Sequence, residues 1–276
     1  MVSGRFASLL LAAALATVPA GPPAAAQDLA SFAVPAEGTA MPIGTYSNGC
    51  LRGGVALPLE GEGYQVVRPS RGRYWGHPRL ISFIEDLGAR AAAAGLNPVL
   101  VADMGRPRGG ALSGHASHQI GLDADIWLRQ DLPSLPESQR EGLSSILVVD
   151  RANFTVGPAW SADHAELLRL AASDPRVARI FVHPAIKIAL CETVTGDRSW
   201  LRVLQPWFGH DSHFHVRLHC EVGDTFCEPQ APVPPGDGCD AELYSWIPDP
   251  NNPPPPLAER PPPPPPHPMC TAMAGG

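Results

Sequence analysis

The sequence predicts an α+β fold: one domain with a central antiparallel sheet, flanking helices and loops, disulfide staples and a proline-rich C-terminal arm. Three observations predict it. Segments that alternate with period two, Ile120 to Leu128 and His213 to Leu218, are separated by segments of helical period such as 77–95. No internal repeat divides the chain. Prolines dominate from Pro248 to Pro268, in runs such as Pro253–Pro256 and Pro261–Pro266, where polyproline II and a spacer role are expected rather than a core. With 276 residues, 44% of them hydrophobic, the chain can bury one large core. Its formal charge of -7 argues against nucleic acid as a partner, because phosphate binding needs clustered positive charge.

The elements follow in order. A short basic start (Met1 to Arg5), an apolar run from Phe6 to Val18 and the small residues Ala24-Ala25-Ala26 form a secretory signal peptide over residues 1–26. The run is too short to span a bilayer, and no later segment is long and apolar enough, so no membrane span is expected. The main domain then occupies 27–247 and the proline-rich tail 248–276, with 27–45 as a loosely ordered lead-in. Residues 77–95 place Leu80, Ile81, Phe83, Ile84, Leu87 and Ala91 on one helical face and stop at Gly95. Pro98 to Asp103 is a compact buried strand. Ile120 to Leu128 reads as a half-buried strand: Ile120, Leu122, Ala124, Ile126 and Leu128 face inwards, and Asp123 and Asp125 lie on the exposed face. Ser161 is a helix N-cap. Arg179 to Val182 is a short strand, and Pro184 to Leu190 a short helix. In the last strand Phe214, Val216 and Leu218 face one way, and His213, His215 and Arg217 the other.

Six cysteines, Cys50, Cys191, Cys220, Cys227, Cys239 and Cys270, in an exported chain read as disulfides, and six allow 15 pairings. Cys220 and Cys227 are close enough to staple one loop, and Cys50 and Cys270 would tie down the ends. Ten histidines form the second cluster of chemistry, and six fall in two segments, Ser113 to Asp125 and Trp207 to His219. Imidazole and carboxylate are ligands that zinc accepts, and three of them leave a fourth tetrahedral position for water. His213 and His215 point to one side of their strand, while His118 leads into the strand that presents Asp125. His77, His164, His183, His219 and His267 read as ordinary surface or core groups.

The segments Gly114-His-Ala-Ser-His-Gln-Ile-Gly-Leu-Asp-Ala-Asp125, Trp207-Phe-Gly-His210 and His213-Phe-His215-Val-Arg-Leu218 resemble the penicillin-insensitive murein endopeptidases. That family sits in the wider group of zinc peptidases containing lysostaphin-type enzymes and D-Ala-D-Ala carboxypeptidases. The likeness covers most of the mature chain, from about Asn48 to Cys239 and beyond. It implies a periplasmic enzyme that acts on peptidoglycan, hydrolysing the D-alanyl to meso-diaminopimelate cross-link. It implies that His118, Asp125 and His215 bind catalytic Zn2+, on the central sheet, and that His213 serves as general base or stabiliser. His210 is then a substrate-side or supporting residue. The family's second metal position would use His115 and Asp150, but Asn153 stands where a histidine is expected, and asparagine is a poor zinc ligand. The family's cysteine pattern would pair Cys50 with Cys270, Cys191 with Cys239, and Cys220 with Cys227.

Two other functions remain open on sequence alone. One is a D,D-carboxypeptidase, which differs only in pocket shape; the other is a non-catalytic periplasmic metal-binding or wall-binding protein, which would need the ligands but not His213. The oligomeric state, a homodimer included, is likewise open.

Overall fold

A computed structural model describes residues 28–249 and 264–275. The leader 1–26 and the run Pro253–Pro256 lie outside the described residues. The chain begins with a hairpin of β1 (Met41–Thr45) and β2 (Asn48–Arg52), so the expected loose lead-in ends earlier than residue 45. Short strands follow: β3 (Val55–Ala56), β4 (Glu60–Gly61), β5 (Tyr64–Val66) and β6 (Trp75–Gly76). Helix α1 (Pro78–Ala93) leads to β7 (Val99–Val101) and β8 (Asp123–Trp127). A single turn, α2 (Glu137–Arg140), and the small hairpin β9 (Val149–Asp150) and β10 (Thr155–Val156) precede α3 (Ala162–Ala172). Then come β11 (Val177–Val182), α4 (Pro184–Thr193), β12 (Leu204–Pro206), β13 (His213–Leu218), α5 (Ala241–Tyr244) and α6 (Pro268–Gly275).

Seven strands form the central sheet in the order β12-β11-β13-β8-β7-β5-β4. The sheet is mixed rather than wholly antiparallel: β11 pairs parallel with β12, and β5 with β7. Both parallel partners are reached by a crossover, through α4 in one case and α1 in the other, as a parallel connection requires. The strands at the centre, β11, β13 and β8, are antiparallel, and their register sets the functional face. Phe214, Val216 and Leu218 of β13 and Ala124 and Ile126 of β8 point the other way, against Leu80, Ile84 and Leu87 of α1 and Leu167 and Leu168 of α3 in one apolar core. Each of the larger of these side chains contributes about 1.5–3 kcal/mol on leaving water.

Strand β8 is not half-exposed. Asp123 is fully buried and Asp125 nearly so, because the face that alternation assigns to solvent is roofed by histidine side chains and Arg217. The regular strand also starts at Asp123 rather than Ile120, since Gly121 has φ 73° and a Cβ there would meet Leu51 Cδ2 at 2.6 Å and the His77 nitrogen at 2.9 Å.

Three disulfides join Cys50 to Cys270, Cys191 to Cys239 and Cys220 to Cys227. The first brings α6 onto the β1–β2 hairpin, where Ile43, Cys50 and Cys270 form a small buried cluster. The C-terminal arm therefore ends in a packed helix, not in extended chain.

Several of the ordinary histidines prove to be helix caps. His77 Nδ1 accepts from the Arg79 amide, His183 Nδ1 from Ala185 and His267 Nδ1 from Met269, each at 3.2 Å and each followed by a proline that opens the helix. The ring nitrogen replaces the usual side-chain oxygen in satisfying an orphan amide, and the proline has no amide to satisfy. His164 accepts from the Ser161 amide at 3.0 Å, closing a capping box on α3. An accepting nitrogen must be unprotonated. Burial first, and the Arg79 charge second, push the His77 pKa down to about 4. Between pH 6.5 and about 4 the unfolded chain therefore takes up a proton that the folded chain refuses, so stability is complete above 6.5 and falls as the pH drops through that window. We predict that His77→Asn, which keeps a capping oxygen, flattens the pH dependence of the urea midpoint between pH 6.5 and 4 by up to one proton. An unchanged slope would remove His77 from that role.

Candidate active site

The site is a row of side chains on the front face of three strands. Register places His215 of β13 between Asp125 of β8 and Phe181 of β11, and Arg217 between Asp123 and Arg179. The 113–118 loop brings His115 and His118 over this face. His118 has φ 71°, a left-handed conformation that costs a non-glycine residue about 1–3 kcal/mol. Its amide donates to Asp123 Oδ2 at 3.1 Å, which holds the strained turn in place.

Three imidazoles share one arrangement. In each, the nitrogen remote from Asp125 is held by an acceptor and the near nitrogen faces the carboxylate. His118 Nδ1 donates to the Met104 carbonyl at 2.8 Å, so in the neutral ring the lone pair lies on Nε2, 3.3 Å from Asp125 Oδ1. His215 Nε2 donates to Asp123 Oδ1 at 2.8 Å, leaving Nδ1 bare at 3.4 Å from the same Asp125 oxygen. His115 Nε2 donates to Asp103 Oδ2 at 2.8 Å, leaving Nδ1 at 3.3 Å from Asp125 Oδ2. Bare lone pairs aimed at a buried carboxylate repel it unless a positive charge lies between them. His118 Nε2 and Asp125 Oδ1 are both buried without a hydrogen-bond partner. These donors fit a divalent cation.

The electrostatics say the same. Burial favours neutral Asp125, but the charge of His118, then of His213 and His215, outweighs it and holds its pKa well below the usual carboxylate range. Burial would lower His118; the charge of Asp125, with Asp123 behind it, pushes it up to about 9 instead. The site demands positive charge, and a proton satisfies that demand when nothing larger is bound. Asp123, fully buried, is also pulled down against its burial, first by Arg217 and then by His215.

Among the described residues, His115, His118 and Asp125 form a ligand-type grouping whose ligand atoms lie within 4.8 Å of one another. His215 is sorted by which carboxylate oxygen it meets: His118 and His215 converge on Oδ1, whereas His115 and His213 face Oδ2, His213 Nε2 at 3.8 Å. His210 packs 4.9 Å from His213, ring to ring, with Nδ1 donating to the Trp207 and Phe208 carbonyls at 3.2 Å. Burial, then the neighbouring His213 and His215, push its pKa down to about 4. Asp150 is turned into its own loop, accepting from the Ala152 and Asn153 amides and from Asn153 Nδ2, and it does not line the cleft. The cleft itself measures about 460 Å³, with His115, Asp125, His210, His213, His215 and half-exposed Trp207 among its walls.

A family model for penicillin-insensitive murein endopeptidase matches residues 42–274. The chain belongs to this family. Relatives of that name include one from Haemophilus influenzae, 55% identical over 220 residues, or 79% of this chain and 77% of the relative. Others from Klebsiella pneumoniae subsp. pneumoniae and Salmonella newport are each 45% identical over 87% of this chain and 88% of their own. Membership in the murein endopeptidase family makes the chain a peptidase.

Sequence reasoning missed Asp123 and Asp103, the two carboxylates that orient His215 and His115. Their signals were present: Asp123 sits two residues before Asp125 on the same face, and Asp103 ends a buried strand. Asp103 also meets Arg71 at 3.0 Å and Arg73 at 2.9 Å. We predict that a divalent cation at a hundredfold excess over its Kd stabilises the metal-stripped protein by about 2.7 kcal/mol. Asp125→Asn, isosteric but uncharged, should abolish that gain in a thermal melt. Equal gains in both proteins would show that the cation binds elsewhere.

Proposed function

We propose that the protein is a zinc-dependent peptidoglycan endopeptidase, exported by residues 1–26 to the periplasm, that hydrolyses the D-alanyl to meso-diaminopimelate cross-link. The observation that carries the reading is the set of imidazoles with locked tautomers around one buried carboxylate. In this reading His118, Asp125 and His215 hold the metal. A borderline cation with nitrogen and carboxylate donors suits zinc. Bound there, zinc supplies a Lewis acid for the carbonyl and a more acidic water.

The chain's own residues do the rest. Asp123 and the Met104 carbonyl keep the two ligand imidazoles in the tautomer that leaves a lone pair for the metal. His213, whose ring lines the cleft with Nε2 3.8 Å from Asp125 Oδ2, takes the proton of the attacking water and returns it to the leaving amine. His210, kept neutral and tethered to two carbonyls, fixes the outer wall against which His213 rests. Nothing in this scheme uses a nucleophilic serine, so β-lactams have no target.

An endopeptidase is favoured over a carboxypeptidase by the relatives' name, and a second cavity of about 620 Å³ that shares Arg179 and Gln230 with the cleft as lining supports the reading by offering further room beside it. Digestion of purified peptidoglycan tests this directly: cross-linked dimers should disappear and monomers accumulate, while loss of terminal D-alanine alone would mean a carboxypeptidase.

A second prediction separates ligand from base, and so enzyme from metal carrier. His215→Ala should lose most bound zinc and activity together. His213→Ala should keep near-stoichiometric zinc while turnover falls by roughly 10²–10⁴-fold, the usual worth of a positioned acid or base. Loss of zinc from both variants would redraw the ligand set. Full activity of His213→Ala would move the base elsewhere, to His210 first.

A further inference from the structure

The histidine cleft and the larger cavity meet at Arg179 and Gln230, which line both. Arg179 of β11 lies directly across from Arg217 of β13. Two like charges facing each other across a sheet are destabilising, and only one of this pair is neutralised. Arg217 Nε donates to Asp123 Oδ1 at 2.7 Å and Nη1 to Gln230 Oε1 at 2.8 Å, while its guanidinium lies over the rings of Tyr46 and Phe181. Arg179 has no carboxylate partner among the described residues. Its Nη2 donates to the Ala231 carbonyl, and its Nε is buried without a partner.

The nearby acids are committed elsewhere. Asp174 is held by Arg90 and Arg176, Asp197 accepts from the Ser199 amide, and Asp125 faces the imidazoles. Burial, followed by the charge of Arg217, makes the Arg179 cation less favourable than it would be in water. A half-buried arginine in this state is set to receive an anion, and the row spacing says where that anion comes from. Arg179 is two residues along β11 from Phe181, which shares a row with His215 and Asp125, so it stands about 7 Å from that row. In a D-alanyl to meso-diaminopimelate link, the carbon next to the scissile nitrogen bears a free carboxylate, one backbone unit from the bond that breaks.

We propose that Arg179 binds this carboxylate, with Gln230 beside it, and so selects substrates whose leaving amine carries an adjacent acid. The assignment rests on the endopeptidase reading. It makes Arg179 a specificity-determining residue, outside the set that holds the metal or moves the proton.

The test uses the zinc-loaded protein and two cross-linked muropeptide dimers, differing only in whether that carboxyl group is free or converted to a carboxamide. The wild type should favour the free acid in kcat/KM by about 10- to 100-fold, the worth of one charge-assisted contact, mainly through KM. Arg179→Gln should bring the acid-to-amide ratio close to one, and Arg179→Lys should restore part of it. A parallel loss on both substrates, with the wild-type ratio kept, would mean that Arg179 only supports the sheet and would overturn the proposal. Equal cleavage of acid and amide by the wild type would overturn it as well. Cleavage of neither dimer by the wild type would instead defeat the endopeptidase reading itself, and the subsite with it.

Discussion

Asp123 is the group on which the rest of the site depends. A carboxylate with no exposure to water would be expelled or protonated if left alone, since stripping its hydration costs several kcal/mol. Here every approach is occupied: Oδ1 accepts from His215 Nε2 and Arg217 Nε, and Oδ2 from the His118 amide. One charge thus sets the tautomer of a ring on β13, fixes an arginine two residues further along the same strand and clamps the strained turn that carries His118. The converse also holds. Replacing Asp123 by an uncharged residue would strand Arg217 in a buried position and release the turn, so its loss would act as a folding defect as much as a chemical one.

Two groups among the histidines follow different physics. On the front face, His115, His118 and His215 each have one nitrogen tied back and one turned to Asp125, which is how a ring is prepared for a cation. Those at His77, His183 and His267 stand before prolines and use Nδ1 to satisfy helix amides. The second group needs the neutral ring to accept, whereas the first offers a nitrogen to whichever positive charge the site holds, and only the first is chemistry.

Much of this was legible in the alternation of the two central strands. Period two across Ile120 to Leu128 and His213 to Leu218 sorted core from site correctly, because side chains on a strand have only two faces to choose from. The helices 77–95 and that capped by Ser161 were legible for the same kind of reason. What alternation could not tell is what lies above a face. Asp123 and Asp125 read as exposed because the roof that buries them comes from His215 and Arg217, which reach them through register between distant strands, and from His118, which a left-handed turn folds back over them. The parallel edges of the sheet were hidden likewise, since strand order depends on crossovers and not on local pattern. Arg179 gave no sequence signal at all: it becomes unusual only beside Arg217, and that neighbourhood exists only in the folded sheet. Position along the chain spoke for Cys220–Cys227 and for a Cys50–Cys270 tie between the ends, whereas Cys191–Cys239 needed the family resemblance.

The Cys50–Cys270 bond joins residues 220 apart in sequence and lies under the hairpin that supports the site loop. Gln119, next to His118, donates its amide to the Tyr46 carbonyl and accepts the Gly49 amide on its side chain. The left-handed turn at His118 therefore leans on a hairpin whose far side is fastened by nearly the last residues of the chain. Opening that one bond would free the terminal helix from the hairpin and slacken the support of the His118 turn, although Cys50 and Cys270 touch none of the front-face side chains.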